Sequence, residues 1–148
     1  MTADFSFEIS ASKGRHVTIC LGGDLTGGEF ARVEPNVREI IGEQNGKHGV
    51  LWDLRQVRRC DLSARRSMQK LQSEIAERKL RTAYVASRPR IRGVALWVVH
   101  TSGDKLARPF ANHDQAVDWL DTSRGRMEEI IHRAKEIVSF GERKGARP

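Results

Sequence analysis

The spacing of apolar residues predicts strands that alternate with helices along most of the chain. Residues 5–9 and 16–21 carry apolar side chains at every second position, which is typical of half-buried strands, and the turn at 13–15 joins them into an antiparallel hairpin. Short apolar runs predict three more strands, at 49–53, 81–87 and 109–111. The order ββαβαβαβα indicates an α/β fold, a mixed sheet of four to five strands with helices packed on it.

Helical spacing of apolar residues predicts the helices between these strands. The first begins near Thr26, which forms a capping-box pattern with Glu29, and its apolar stripe runs from Phe30 to Ile41. Pro35 should kink this helix or mark the first turn of its main part. Further helices are predicted at 62–79, 94–100 and 112–120. The glycine pairs of segment 22–29 lack the spacing of a phosphate-binding loop, so we interpret this segment as an ordinary loop.

The chain length of 148 residues predicts one domain, which we place at residues 1–121. An additional amphipathic C-terminal helix is predicted at 122–141, followed by a mobile basic tail at 142–148. The apolar stripe of the additional helix must be buried. It either covers this chain's own helices or forms a homodimer contact.

Composition limits the classes of function. No apolar run reaches the roughly 20 residues that a membrane span needs, and the N-terminus does not resemble a signal peptide, so we expect a cytoplasmic protein. The net charge is +7, and positive charge is concentrated between Arg55 and Arg92. This segment is either a field that binds phosphate groups or a set of solvated helix faces. It contains no nucleic-acid-binding motif, so only weak, salt-dependent association with nucleic acid is expected.

Few residues have the spacing that catalysis requires. The five histidines are isolated, so no metal site is predicted, and no cofactor motif is present. A Gly-x-Ser-x-Gly elbow is absent, and we expect no enzyme activity. Asp53 and Asp61 are either a paired acidic site or separate structural residues. In the second interpretation Asp53 pairs with Arg55, and Asp61 caps the following helix.

The stretch from Gly49 to Ala64 is the most informative part of the sequence. It predicts a buried strand that ends at Asp53, a turn, and a helix whose first turn holds Ser63. A phosphate on Ser63 would lie beside the helix N-terminal amides and near three arginines, while Asp61 would repel it. The three arginines are Arg59, Arg65 and Arg66. Phosphorylation of Ser63 is therefore physically permitted.

The strand Val50-Leu-Trp-Asp-Leu followed by Asp61-Leu-Ser63-Ala at a helix start resembles the STAS domain of bacterial anti-sigma-factor antagonists. The segments Thr82-Ala-Tyr-Val-Ala and Ala116-Val-Asp-Trp-Leu120 are similar to antagonist-like STAS relatives of unassigned function. The resemblance implies a non-enzymatic regulatory module with a partner of the kinase or anti-sigma-factor type. It also implies phosphorylation at Ser63. The sequence departs from the family motif at Leu62, Ala64 and Arg65.

A second hypothesis concerns the apolar segment 94–99. Trp97 lies in this segment, and Arg88, Arg90 and Arg92 precede it in a predicted basic loop. An apolar pocket with arginines at its mouth would suit a small amphipathic anion or a lipid. The alternative is that the segment is ordinary core.

Overall fold

The computed structural model describes residues 5–11, 15–43 and 49–121, and its elements follow the predicted order. The strands are β1 (Ser6–Ala11), β2 (Val17–Leu25), β3 (Val50–Cys60), β4 (Thr82–Val85) and β5 (Ala107–Phe110). The helices are α1 (Gly27–Glu43), α2 (Leu62–Glu77), α3 (Pro89–Ser102) and α4 (113–121). The additional C-terminal helix, its dimer contact and the basic tail fall at 122–148, outside the described residues.

The five strands form one mixed sheet in the order β1-β2-β3-β4-β5. β1 pairs with β2 in an antiparallel ladder, which confirms the predicted hairpin, and the remaining neighbours are parallel. The parallel strands β2 to β5 therefore all end at the same edge of the sheet. Each is followed by a helix, so α1, α2, α3 and α4 all begin there. We call this side of the molecule the carboxyl edge, and in open α/β sheets it is where ligands and partners meet.

One face of the sheet carries the larger hydrophobic core, under α1, α2 and α3. Trp52 of β3 lies at its centre, with its ring 6.1 Å from that of Phe30 on α1 and 5.9 Å from that of Tyr84 on β4. All three side chains are buried, and stacked rings of this kind stabilise a core beyond the area they bury. This stack fixes α1 against β3 and β4.

The opposite face carries a smaller core under α4. Leu51, Ala83 and Val85 of the sheet pack against Ala116 and Leu120 of the helix. Successive residues of a strand point to opposite faces, so Asp53 lies on the same face as Leu51.

A buried polar network joins α2 to the sheet. The Gln72 side-chain amide donates to Asp104 (2.6 Å) and to the Thr82 hydroxyl (3.1 Å), and its carbonyl oxygen accepts from the Tyr84 hydroxyl (2.5 Å). Each of these buried groups has a hydrogen-bond partner, which offsets the cost of taking it out of water. The network fixes the position of α2 beside β4 and the end of α3.

Two predicted boundaries are wrong, because strand pairing continues further than the apolar runs. β3 does not end at Asp53 but reaches Cys60, and β2 continues through Gly22 and Gly23, which were expected to lie in a loop. The added residues of the two strands pair with each other, from Gly22 with Gln56 to Leu25 with Cys60. A Cβ atom at Gly22 would lie 2.8 Å from Ser6 Oγ and 3.1 Å from Gln56 Cβ, so glycine leaves room for the side chains of both neighbouring strands.

The predicted basic loop before residue 94 is also wrong, because it forms the start of α3. The helix begins at Pro89, with Arg88 as its N-cap, and proline is favoured in a first helical turn because it has no N–H to leave unpaired. Arg90 and Arg92 are therefore helical residues. α1 runs through Pro35 as one continuous helix, and its last described residue is Glu43.

Candidate functional site

The predicted site lies at the carboxyl edge, where β3 leads into α2. Asp61 is the N-cap of α2, as predicted, and its carboxylate accepts a hydrogen bond of 2.7 Å from the backbone N–H of Ala64. Its second oxygen accepts a longer one, 3.4 Å, from the N–H of Gly27 at the start of α1. One carboxylate therefore bridges the first turns of two helices. Both contacts suit a negative charge, because helix N-termini carry unpaired N–H groups and partial positive charge.

Ser63 is an exposed residue of the first turn of α2, and its side chain lies against the start of α1. A Cβ atom built on Gly27 would lie 2.1 Å from Ser63 Oγ and 2.7 Å from Ser63 Cβ. Only glycine at position 27 allows this approach. The hydroxyl is thus placed between two helix N-termini, with its inner side filled by the backbone of Gly27.

The three arginines predicted around Ser63 differ in their surroundings. Arg65 is half-buried and donates from Nε to the backbone oxygen of Cys60 (3.2 Å), so it braces the turn. Arg59, at the end of β3, and Arg66, in the first turns of α2, are exposed. The Cys60 thiol is buried, and burial raises its pKa to about 11, so it is a neutral packing group at physiological pH.

Asp53 does not belong to this site. It is buried within β3, and its carboxylate accepts two bonds from the Arg55 guanidinium, 2.9 Å from Nε and 2.7 Å from Nη2. Seven residues of β3 separate it from Asp61, and the eight residue steps span about 25 Å at the usual strand rise. The paired acidic site is therefore wrong, and the alternative, an ion pair with Arg55, is what forms. Burial would raise the pKa of Asp53, but the Arg55 bonds and charge outweigh it and hold the pKa below its usual value.

The residues of the second hypothesis lie on α3. Arg88 donates a long bond (3.5 Å) to the backbone oxygen of Val57, and Arg92 donates one of the same length to that of Ser87. Arg90 is exposed. Trp97 is 37% exposed and lies on the outer surface of the helix, whereas Val94, Ala95 and Val98 are buried. The segment is thus core on one side and surface on the other.

Two cavities are found elsewhere in the described part of the chain. A groove of about 520 Å³ lies between α1 and α2 and includes Arg38 and Glu74, and a cavity of about 340 Å³ lies between β1 and α1. Trp97 and the arginines of α3 line neither of them. The observed cavities therefore lend no support to a ligand pocket at Trp97.

The described ranges lack a metal-binding cluster and a membrane-spanning helix. No group of three or more histidine, cysteine, aspartate or glutamate side chains there could hold a metal ion. No helix among those residues has the length and apolar character needed to cross a bilayer.

Sequence reasoning missed Gly27 as a site residue. The glycine pair at positions 27 and 28 was visible beside the capping residue Thr26, but it was interpreted only as part of a loop. The Thr26 cap itself is confirmed, because its hydroxyl accepts from the N–H of Glu29 (3.2 Å). The signal available in the sequence was the glycine next to the N-cap Thr26. A side chain is normally tolerated at this position, so a glycine there indicates that another segment approaches closely.

Comparisons with known proteins give a consistent answer about the fold. No protein-family model matches this sequence, and no curated protein matches it. Solved structures do match, and two of them illustrate the likeness. One is an uncharacterised DUF3478-family protein with a SpoIIAA-like fold from Shewanella loihica PV-4, with a TM-score of 0.57 and 15% identity over 79% of this chain and 93% of that one. The other is the anti-sigma factor antagonist SpoIIAA in its unphosphorylated form, with a TM-score of 0.60 and 16% identity over 81% of this chain and 99% of that one.

These likenesses agree with the strand order, the hairpin and the helices that begin at the carboxyl edge. At this level of identity they establish architecture. The chain has the SpoIIAA-like, STAS-type α/β fold.

Proposed function

We propose that this protein is a non-enzymatic cytoplasmic module that binds a protein partner at the carboxyl edge, and that phosphorylation of Ser63 controls the contact. The observation that carries the proposal is the position of the Ser63 hydroxyl. It is exposed in the first turn of α2 and lies against Gly27 in the first turn of α1. A kinase can reach such a hydroxyl, and the two adjacent helix N-termini favour the charge that phosphorylation adds.

The geometry also sets what a phosphate would do. Because the backbone of Gly27 fills the inner side of Ser63, the added group must project outward. It carries about −1.5 to −2 charges at neutral pH and three strong acceptor oxygens. Asp61 is already engaged by Ala64 and Gly27, so a phosphate finds part of the local positive potential occupied. The switch would therefore change the charge of the docking surface while α2 keeps its position.

The likeness to SpoIIAA supports one class of partner. SpoIIAA is an anti-sigma factor antagonist, and the structure matched is of its unphosphorylated form. By that likeness the partner here would be a kinase or a protein of the anti-sigma-factor type. Leu62 and Arg65 replace residues of the family motif, and an exposed Leu62 beside the site supports a partner surface with its own specificity.

The test compares Ser63→Ala with Ser63→Asp, each used as bait in the cells that normally make the protein. The matched controls are Ser67→Ala and Ser67→Asp, one turn further along α2. We expect the recovery of at least one partner to differ about tenfold or more between the two Ser63 variants, with no such difference at Ser67. Intact mass should show one phosphate on the wild type that Ser63→Ala lacks. Identical partner recovery from both Ser63 variants would overturn the switch.

A further inference from the structure

We infer that the outer surface of α2 and α3 binds the surface of an anionic membrane. We call this surface the basic–apolar face and define it by Leu62 and Arg66 on α2 and by Arg90, Leu96 and Trp97 on α3. It adjoins the contact at Ser63, where Leu62 and Arg66 also lie, and does not require phosphorylation of Ser63. No cavity is involved, because binding here uses side chains that project outward.

The apolar part of the face is exposed to water. Leu62 is 52% exposed, Leu96 54% and Trp97 37%, and they are three of the four large apolar side chains exposed among the described residues. The fourth, Phe7, lies on β1 at 36%. Single exposed apolar residues are normal, but a group on one surface marks a site of interaction.

Hydrogen bonds establish how the two helices lie. Gln69 of α2 donates to the backbone oxygen of Thr101 on α3, and Gln72 donates to Asp104 just after α3, and both pairs are 32 residues apart. Two contacts at the same offset show that the helices run side by side in parallel. The offset places Leu62 level with Val94, within one turn of Leu96 and Trp97 on the neighbouring helix. The three apolar side chains therefore share the N-terminal half of one surface.

The two exposed apolar residues of α3 point in different directions from its outer side. Leu96 and Trp97 are consecutive and lie about 100° apart around the helix. Gly93, one turn earlier, falls between them and has open space around it. The leucine and the indole thus project separately into solvent on either side of a position without a side chain, and neither of the two described cavities includes them.

Charge on this face is of one sign. The first three turns of α2 (62–73) and the whole of α3 (Pro89–Ser102) contain no aspartate or glutamate. They contain five basic residues, Arg65, Arg66, Lys70, Arg90 and Arg92. The partner must therefore be anionic, and it must also accept apolar side chains.

An anionic bilayer meets both requirements better than an acidic protein. Lipid can surround apolar side chains that project separately from a helix, whereas a protein partner would need a surface shaped to each of them. Tryptophan partitions to the boundary between headgroups and acyl chains, and arginine can keep its guanidinium at the headgroups while its stem lies along apolar surface. Basic residues beside a shallow apolar surface are the pattern of reversible surface binding.

The test measures binding of the full chain to large unilamellar vesicles of phosphatidylcholine with 30% phosphatidylserine, and to vesicles of phosphatidylcholine alone. Arg66→Ala and Arg90→Ala should each lower the partition coefficient for anionic vesicles about fivefold, and together about 25-fold. Arg78→Ala, at the opposite end of α2, is the charge-matched control and should change it less than twofold. Salt should weaken wild-type binding to the anionic vesicles.

The apolar contribution needs its own pair of variants. Leu96→Ala with Trp97→Ala should lower anionic-vesicle binding about tenfold, whereas Phe7→Ala, equally exposed on β1, should leave it unchanged. Trp97→Phe should retain most of the binding but lose the blue shift of tryptophan emission, because Trp52 is buried in the core and Trp119 packs against Phe110 on the opposite face of the sheet. All the substituted side chains are exposed, so urea unfolding midpoints should stay close to the wild type.

Three results would overturn the inference. Equal losses for the face variants and for the Arg78 and Phe7 controls would show binding by general charge. Wild-type protein that binds anionic vesicles no better than neutral ones would also reject the inference. If the face variants lost an acidic protein from pull-downs while no vesicles bound, the face would belong to a protein partner.

Discussion

Two aspartates lie near opposite ends of β3, Asp53 at its fourth residue and Asp61 directly after its last, and the two carboxylates have different roles. At one end Asp53 is buried beside its own strand neighbour Arg55, which binds it with two parallel hydrogen bonds. At the other end Asp61 is exposed and joins the first turns of α1 and α2. A carboxylate satisfied by a nearby side chain is structural. A carboxylate that holds two helix N-termini together organises a surface where further groups can act, so the functional hypothesis belongs at the Asp61 end.

The sharpest test of the Asp61 end is a substitution of its neighbour Gly27. Gly27→Ala should lower the free energy of unfolding by about 1–3 kcal/mol, because the new methyl group would overlap Ser63 Oγ and Cβ. Gly28→Ala is the matched control. Its Cβ meets nothing closer than 3.9 Å, so it should be neutral or stabilising by up to about 1 kcal/mol. Urea unfolding measures both.

A double substitution separates the contact from helix propensity. Ser63→Gly removes both atoms that the new methyl group would strike, so it should recover much of the loss in the Gly27→Ala background. Strictly additive effects of the two changes would show that Ser63 does not approach Gly27 as closely as described.

The next largest effect is expected from the cap itself. Asp61→Ala should destabilise the protein by about 1–2 kcal/mol, because α2 loses its capping oxygen and the N–H of Gly27 loses an acceptor. Asp61→Ser restores a capping oxygen and should return most of the loss. Thermal or urea unfolding of the two variants gives the comparison, and equal stability of Asp61→Ala and wild type would contradict the capping role.

At the Asp53 end we expect a smaller effect with a distinct pH dependence. The coupling between Asp53 and Arg55 in a double-mutant cycle should be about 1 kcal/mol or less, because the Arg55 side chain is 43% exposed and solvent screens it. The pKa of Asp53 is lowered in the folded state, so its contribution is present above the unfolded pKa of about 4 and is lost as pH falls through the folded pKa. Asp53→Asn should flatten the loss of stability below pH 4. The stability of the Asp61→Asn variant, measured over the same pH range, separates the effect of Asp53 from a general response to acid.

The smallest predicted effect comes from His16 at the start of β2. Burial lowers its pKa although Asp121 Oδ1, 3.7 Å from Nδ1, acts in the opposite direction. The folded state therefore binds a proton less readily than the unfolded state. Its contribution is present above the unfolded pKa of about 6.5 and declines as pH falls towards the folded pKa. His16→Gln should reduce the difference in stability between pH 7.5 and pH 5.5, and an unchanged difference would assign it to other groups.

Local patterns in the sequence were enough to predict several parts of the fold. The apolar stripe of α1, the caps Thr26 and Asp61 and the order of elements were all predicted correctly. These features depend on residues three or four apart, or on alternation along one strand, so their signal is contained in the spacing itself. Ser63 was likewise placed in the first turn of a helix.

The boundaries that failed depend on pairing with another segment. Gln56 and Arg59 are exposed polar residues and carry no strand signal, yet they belong to β3 because β2 pairs with them. Composition suggested that the basic residues before Gly93 form a loop. Pro89 instead opens a helix, whose inner side Ile91 and Val94 bury against the rest of the protein.

The sequence by itself determined the apolar stripes of α1 and α2, the caps Thr26 and Asp61 and the order of elements along the chain, because neighbouring residues encode these features. Only the tertiary structure decided what approaches Ser63 and which way Trp97 points. Gly27 and Asp61 are 34 residues apart, and their contact arises because β2 and β3 are adjacent parallel strands that end at one edge. Strand pairing between distant segments, which no local spacing records, thus brings the two helix starts together and gives Ser63 its surroundings.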